Sequence, residues 1–179
     1  MRFVRIMDGL KSNANGYQFV IDDVNVSPVW NPSANNAEEY GGFNFTNEEN
    51  VLRWMIRGNV VYDVIIPEDA DVRKINNKNT PDGVWRTNKI IVKNPKIITD
   101  DMCIEFYKIS NVPEKTYFQI LAIMAGKGFE NICEKIIQDK VNENNIQECI
   151  NECLQFSFYK ENGIYDKILE KLHDMKTTC

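Results

Sequence analysis

Residues 85–109 read WRTNKIIVKNPKIITDDMCIEFYKI, and the rhythm of the side chains changes within this stretch. The first part, 85–93, is rich in the β-branched and aromatic side chains that favour strands, and Pro95 is predicted to close it. From Thr99 onwards apolar side chains recur every three or four residues, and Thr99 with the two acids after it is typical of a helix N-cap. The sequence therefore predicts a change from strands to helices near residue 99.

This change divides the chain into a mixed domain, 1–98, and a helical segment, 99–179. One helix is predicted in the first domain at about 47–57, where Thr46 and Glu49 have the spacing of a capping box. A loop of about 15 residues, 27–42, lies before it. Alternating or β-branched stretches predict strands at 4–6, 17–21, 41–46, 60–66, 71–75 and 85–93. The expected fold class is α+β, a small and mostly antiparallel sheet with one helix followed by an all-α segment.

The helical segment contains a weak internal repeat. Leu121 and Ala125 correspond to Leu154 and Phe158, each 33 residues further on. The repeating unit is a helix, a short glycine break, a second helix and a polar loop. A period near 33 residues with two helices is typical of ankyrin repeats, so the segment is predicted to hold about two degenerate ankyrin-like helix pairs. A plain bundle of helical hairpins is the alternative.

Composition excludes several classes of function. The chain has 179 residues, is 43% hydrophobic and carries a net charge of −5, without a basic stripe that would bind nucleic acid. It has no apolar run of the roughly 18 residues that a membrane span needs, and its start lacks the apolar core of a signal peptide. We therefore expect an intracellular protein that is neither secreted nor membrane-spanning. The five cysteines are expected to be buried thiols, and no metal site is predicted.

Three stretches resemble a known family. They are Gly-Gly-Phe-Asn-Phe-Thr at 41–46, Tyr-Asp-Val-Ile-Ile-Pro at 62–67 and Trp-Arg-Thr-Asn-Lys-Ile-Ile-Val at 85–92. Together they resemble the N-terminal domain of giant-virus (mimivirus-type) ankyrin-repeat proteins, in which helical repeats follow a small mixed domain. The 22 asparagines agree with the AT-rich coding of such a source. The resemblance implies this fold and a place in the host cytoplasm or the virion, and it implies no known activity for the first domain.

The strand at 41–46 also resembles an element of ADP-ribosyltransferase-like folds that packs against nicotinamide dinucleotide. In that interpretation Gly41 and Gly42 let the backbone approach a ligand, and Arg5 holds a phosphate. Phe43 and Thr46 are the aromatic residue and the Ser/Thr residue that precede the helix in this element. Transfer of ADP-ribose would need a carboxylate that stabilises the ribose cation. The strand at 85–93, where this carboxylate is expected, contains no acidic residue. No catalytic residue and no cofactor are therefore predicted.

The sequence favours a non-enzymatic protein-interaction module that binds a host or viral protein. In ankyrin-like pairs the loop tips and the inner helix face contact the partner, which points to Asn142, Asn144 and Asn145 as partner-binding residues. The alternatives are an ADP-ribosyltransferase-like or nucleotide-binding domain centred on 41–46, and a structural or virion component. The sequence alone leaves the oligomeric state open.

Overall fold

The structure is a computed structural model that describes residues 2–12, 16–34, 39–81, 83–156 and 163–178. The chain divides into two compact units, Met1–Ile98 and Thr99–Cys179. The division lies at the position where the side-chain rhythm changes. The first unit is built on a sheet and the second is helical, so the α+β fold class is confirmed.

The strands of the first unit are β1 Phe3–Met7, β2 Val24–Val26, β3 Phe43–Asn47, β4 Val60–Ile65, β5 Val72–Lys74, β6 Trp85–Thr87 and β7 Lys89–Ile97. They form a seven-stranded sheet in the order β2-β7-β4-β1-β3-β6-β5, and every neighbouring pair of strands is antiparallel. A 3₁₀-helix at Val51–Arg57 follows β3.

Apolar side chains cover both faces of the middle of this sheet. One face carries the core cluster of Met7, Phe19, Phe43, Phe45, Tyr62, Val64, Ile90 and Val92. Val4 and Ile6 alternate with the side chains of that cluster along β1 and are buried. The 3₁₀-helix packs against β1 and buries Val51, Leu52 and Met55. Because side chains alternate across a strand, β1 contributes to two apolar layers.

The predicted strand at 17–21 is wrong. Gln18 and Ile21 make isolated bridges to Lys11 and Val92, and between them Phe19 is buried in the core cluster. The segment therefore follows the same apolar alternation as a strand while it crosses one face of the sheet. A pattern of alternating side chains reports burial on one side and does not by itself require a strand partner.

The predicted strand at 85–93 is in fact two strands. The chain passes at Asn88 from β6, which pairs with β3 and β5, to β7, which pairs with β4 and β2. Pro95 does not end β7, which continues to Ile97. The register of β4 against β7 shifts between Val61 and Asp63, and this irregularity accommodates a residue that has no N–H to donate.

The predicted capping box is also wrong. Thr46 lies inside β3, where its hydroxyl donates to the carbonyl oxygen of Gly83. The helix begins later, after Asn50, and is a 3₁₀-helix. This hydrogen bond joins β3 to the segment that precedes β6. The Thr46 hydroxyl therefore makes a tertiary contact and does not cap the helix.

In the part of the second unit that the structure describes there are five helices: α1 Asp100–Ile109, α2 Glu114–Gly126, α3 Glu130–Lys140, α4 Ile146–Gln155 and α5 Gly163–Thr178. The predicted N-cap is confirmed, because the Thr99 hydroxyl accepts a hydrogen bond from the Met102 amide. Helix α2 packs against α3, α4 and α5, and all of its residues from 116 to 125 are buried. A helix that is buried on every side is the centre of its unit.

The ankyrin-like interpretation stays a prediction. Contacts between α2 and α3, α2 and α4, and α4 and α5 fit two stacked helix pairs, and a bundle of hairpins would make them as well. Phe158, one of the residues that define the repeat, lies outside the described residues. Among the described helices, none combines the length and the apolar character that crossing a membrane requires.

Candidate functional site

A cavity of about 190 Å³ lies in the first unit where strands β1 and β3 part. The two strands pair at Phe3–Asn47 and Val4–Thr46, whereas β1 stays paired with β4 as far as Met7. The lining comes from both strands, the 3₁₀-helix and β6, and from Ser12 and Val84 outside these elements. Its residues are Val4, Arg5, Ile6, Met7, Ser12, Asn44, Phe45, Thr46, Trp54, Arg57, Val84 and Arg86. The separation of β1 from β3 therefore produces the cavity.

Three arginines line this cavity, each from a different element. Arg5 comes from β1, Arg57 from the last turn of the 3₁₀-helix and Arg86 from β6, opposite Asn44 of β3. No aspartate or glutamate is present in the lining among the residues that the structure describes. The remaining lining is mostly apolar, and an apolar surround strengthens the interaction of these cations with an anion. We call this feature the arginine cavity.

Arg5 is half-buried at the point where the strands separate. Its Nη1 donates to the carbonyl oxygen of Asn44, and its guanidinium carbon lies 4.9 Å from the centre of the Phe19 ring. Burial, together with the nearby charge of Arg57, lowers the pKa of the Arg5 guanidinium to about 10. Arg5 therefore stays protonated at neutral pH, in surroundings that disfavour its charge.

Two buried N–H groups of lining residues lack an acceptor among the described residues: Nε of Arg5 and Nε1 of Trp54. A buried donor without a partner costs stability, so such groups are rare in folded proteins. An oxygen atom of a bound ligand would satisfy them. The charge of the cavity and its missing acceptors thus point to the same kind of ligand, an anion with several oxygens.

The residues predicted from sequence to bind a ligand divide into two groups. Arg5 and Thr46 line the arginine cavity, and Phe43 is buried in the core cluster. Gly41 and Gly42 have positive φ angles, and a side chain on either would collide with the segment at Val29 and Trp30. Gly41 and Gly42 thus allow the backbone to pack closely against that segment. Of the stretch 41–46, only the last three residues line the arginine cavity.

The asparagines predicted to bind a partner shape the loop between α3 and α4. Asn142 and Asn144 are exposed, and the Asn142 Oδ1 accepts from the Asn144 amide at 3.0 Å. Asn145 is half-buried, and its Nδ2 donates to Glu114 Oε1 at 2.7 Å and to the Lys140 carbonyl at 2.8 Å. The loop is therefore held by its own amide groups, and exposed amides of Asn142 and Asn144 mark its tip.

Trp54, Arg57 and Arg86 line the arginine cavity and were not singled out from the sequence. In a 3₁₀-helix the side chains at positions i and i+3 lie on one side, which brings Trp54 and Arg57 together. Residues three apart are also neighbours on an α-helix, so this spacing was a readable signal, but it does not show what the two side chains face. Arg86 owes its position to the pairing of β6 with β3, a contact between residues far apart in the chain.

Comparisons of the chain with protein-family models, with curated proteins and with solved structures produced no match. In the described parts of the chain, His, Cys, Asp and Glu side chains form no group of three or more that could hold a metal ion. The chemistry of the arginine cavity must therefore be argued from its own residues. They provide cationic and neutral hydrogen-bond donors in an apolar surround.

Proposed function

We propose that the first unit binds a small anionic ligand in the arginine cavity. The observation that carries this proposal is that two buried donors of the cavity lining, Nε of Arg5 and Nε1 of Trp54, lack an acceptor among the described residues of a cavity that two further arginines line. Guanidinium groups bind phosphate and carboxylate oxygens through paired N–H donors. Burial and, to a smaller extent, the charge of Arg57 lower the pKa of Arg5, so an anion beside Arg5 would favour its charged form.

The dimensions and lining favour binding of a small group over dinucleotide chemistry. Pockets for drug-sized ligands have volumes of roughly 300–1,000 Å³, and the arginine cavity has about 190 Å³. A dinucleotide is larger than a drug-sized ligand. The described lining also offers no carboxylate to stabilise a ribose cation. These features support a binding protein rather than an ADP-ribosyltransferase-like enzyme.

Thermal unfolding in potassium phosphate, against potassium chloride at equal ionic strength and pH 7.5, tests this proposal. A ligand that binds only the folded state raises the melting temperature, and the stabilisation grows with the logarithm of the ligand concentration relative to Kd. We expect phosphate to raise the melting temperature of the wild type and of Arg73→Gln, since Arg73 lies outside the arginine cavity and pairs with Asp71. We expect Arg5→Gln to lose the effect. An equal effect of phosphate on the Arg5→Gln and Arg73→Gln proteins would refute the proposal.

A second candidate function concerns the helical unit, which would bind a host or viral protein as a short ankyrin-like module. The observation that favours it is a polar groove beside the asparagine loop, lined by Ser110, Asn111, Val112, Glu114, Tyr117, Asp139, Lys140 and Asn142. The exposed tip at Asn142 and Asn144 adjoins this groove. In stacked helix pairs such tips and grooves carry the contacts with partners.

Cross-linking in cells that contain the natural partner tests this second candidate. The pair Asn111→Ala and Asn144→Ala changes polar side chains at the groove and tip, and Gln138→Ala on α3 is a control outside that groove. A protein that the wild type and Gln138→Ala capture, and that the Asn111 and Asn144 variants lose, would support the module. Retention by all variants would contradict it.

A further inference from the structure

We infer that the ligand of the arginine cavity is a monocarboxylate with a compact apolar substituent; this inference rests on the proposed function. The single charge of the ligand follows from Arg5, and its carboxylate follows from the two donors in the lining that lack an acceptor. Its substituent follows from the apolar side chains that enclose the same space.

The charge of the ligand is set by Arg5, because the other two arginines of the lining already have partners within the chain. Arg86 Nη1 donates to the Gly41 carbonyl at 3.1 Å, and both Arg86 and Arg57 make further interactions. Arg5 Nη1 donates to the Asn44 carbonyl, which is neutral, and the described lining contains no carboxylate beside Arg5. One negative charge on the ligand therefore neutralises Arg5, and a second one would enter a mostly apolar space.

The hydrogen-bonding group of the ligand follows from the two buried donors without an acceptor, Arg5 Nε and Trp54 Nε1. On a guanidinium, Nε–H lies parallel to an N–H of Nη2, and the two oxygens of a carboxylate fit such a pair of donors. A carboxylate has further lone pairs for a third donor, which the Trp54 indole supplies. A neutral ligand would accept these hydrogen bonds but would leave the charge of Arg5 without a counter-charge. A carboxylate provides both.

The substituent of the ligand follows from the apolar part of the lining. Val4, Ile6, Phe45 and Val84 are buried lining residues, and Trp54 adds its ring. Acetate has only a methyl group to place against these side chains. A ring or a branched alkyl group covers more of them and gains affinity in proportion to the apolar area that is buried. The cavity volume of about 190 Å³ keeps this substituent compact.

Isothermal titration at pH 7.5 with benzoate, benzamide and phenyl phosphate tests the inference, because these probes share a ring and differ in charge. We expect benzoate to bind about tenfold more tightly than benzamide, since the neutral amide leaves Arg5 without a counter-charge. Phenyl phosphate carries nearly two charges at this pH and should bind about threefold more weakly than benzoate, because its second charge is desolvated without a new partner. Acetate, which lacks the ring, should bind about tenfold more weakly than benzoate.

Two variants and a control locate the carboxylate. Arg5→Gln should lose the preference for benzoate over benzamide, and Arg73→Gln, outside the cavity, should keep it. Trp54→Phe keeps an aromatic ring and removes the indole N–H, so it should weaken benzoate binding about fivefold, the worth of one hydrogen bond. Far-ultraviolet circular dichroism checks that each variant folds. Trp54→Phe is the milder change and keeps the test available if Arg5→Gln does not fold.

The outcomes separate this inference from the proposed function. Equal affinity for benzoate and benzamide, or tighter binding of phenyl phosphate than of benzoate, would overturn the monocarboxylate. Acetate that binds as tightly as benzoate would overturn the apolar substituent. Benzoate binding that is unchanged in both Arg5→Gln and Trp54→Phe would place the ligand elsewhere and refute the inference. Anion binding itself stands if phosphate still raises the melting temperature through Arg5, and it fails with the inference if no probe binds and phosphate has no such effect.

Discussion

At the scale of single residues, Arg5 determines what the arginine cavity can do. Its side chain donates to Asn44, lies over Phe19 and is close enough to Arg57 for their charges to repel. Each of these interactions positions the guanidinium, but none supplies a carboxylate. A positively charged group positioned in this way favours an anionic ligand over an empty cavity.

The buried cysteines lead to a prediction about reactivity. Cys103, Cys133, Cys149 and Cys153 are buried free thiols in the helical unit. Burial and the nearby charge of Asp100 raise the pKa of Cys103 to about 12, and burial likewise raises the pKa of Cys133. Since the thiolate is the reactive form, these thiols should resist alkylation in the folded protein.

Iodoacetamide labelling at pH 8 measures this resistance. In the Cys179→Ser variant, which removes the one cysteine outside the described residues, we expect no rapid labelling under native conditions and four labelled thiols in denaturant. The labelling in denaturant is the control for reagent and for oxidation. A thiol that reacts rapidly in the native variant would show that at least one of the four positions is accessible.

At the scale of elements, the turn before β3 depends on Gly42. Its φ is +71°, and a Cβ there would lie 2.6 Å from the Trp30 ring and 2.7 Å from the Thr87 carbonyl oxygen. Gly9 has a similar φ of +63° and open space around the position of a Cβ. Alanine substitutions at the two glycines therefore distinguish the free-energy cost of backbone strain from that of a steric collision.

We predict that Gly42→Ala destabilises the protein more than Gly9→Ala does. Strain at positive φ costs about 1–2 kcal/mol at either site, and the collision adds about 1–3 kcal/mol at Gly42 alone. Urea unfolding followed by fluorescence measures the free energy of unfolding of both variants. Equal losses of stability would mean that Trp30 and Thr87 move aside without cost.

Helices α2 and α4 are joined by a buried polar group. Glu152 on α4 accepts hydrogen bonds at 2.9 Å from Gln119 Nε2 and at 2.9 Å from Lys115 Nζ, both on α2, and its own residue is 3% exposed. Burial raises the pKa of this carboxyl, but the hydrogen bonds from Gln119 and Lys115 and the charge of Lys115 outweigh burial and hold the pKa below its usual value. The ionised carboxylate is thus matched to donors on the neighbouring helix.

This match predicts a pH dependence of stability. Because the pKa of Glu152 is lower in the folded state, its contribution is fully present above the unfolded value near 4.5 and is lost as the pH falls through the lowered folded value. Glu152→Gln should lose about 1–3 kcal/mol of stability at pH 7. Its stability should also fall less steeply than that of the wild type below pH 4.5. Urea unfolding from pH 3 to pH 7 measures both quantities.

Glu148→Gln is the matched control for this prediction. Glu148 also pairs with Lys115, at 3.2 Å, but its side chain is 53% exposed. Exposed ion pairs contribute little to stability, so this variant should keep the acid response of the wild type. Identical acid profiles for Glu152→Gln and the wild type would show that the pairing of Glu152 does not depend on its charge.

At the scale of the whole molecule, the two units each have a hydrophobic core within their own bounds. We predict that residues 1–98 and 99–179, expressed separately, each unfold cooperatively. The second fragment should retain the helical circular dichroism signal that helices α1 to α5 give in the full chain. Thermal denaturation of both fragments and of the full chain measures this, and the absence of a cooperative transition in either fragment would contradict it.

Local chemistry made several elements predictable. The Thr99 cap and the β-branched strand β4 depend on neighbours within four or five residues, which the sequence displays directly. The same holds for the boundary near residue 99, since strands and helices impose different periods on buried side chains. The resemblance to giant-virus ankyrin-repeat proteins stays a prediction, as does protein binding at the asparagine loop.

The arginine cavity forms only when the sheet is folded. Arg5 and Thr46 could be proposed from sequence, but the parting of β1 from β3 and the approach of Arg57 and Arg86 depend on strand pairing. Strand pairing joins residues that are tens of positions apart, and its register follows from the packing of the whole sheet rather than from any short motif. Short-range sequence patterns specify which segments have the side-chain alternation of strands and which have the period of helices. The pairing of strands in the folded sheet determines where the cavity lies and which arginines line it, because it joins residues that are far apart in the chain.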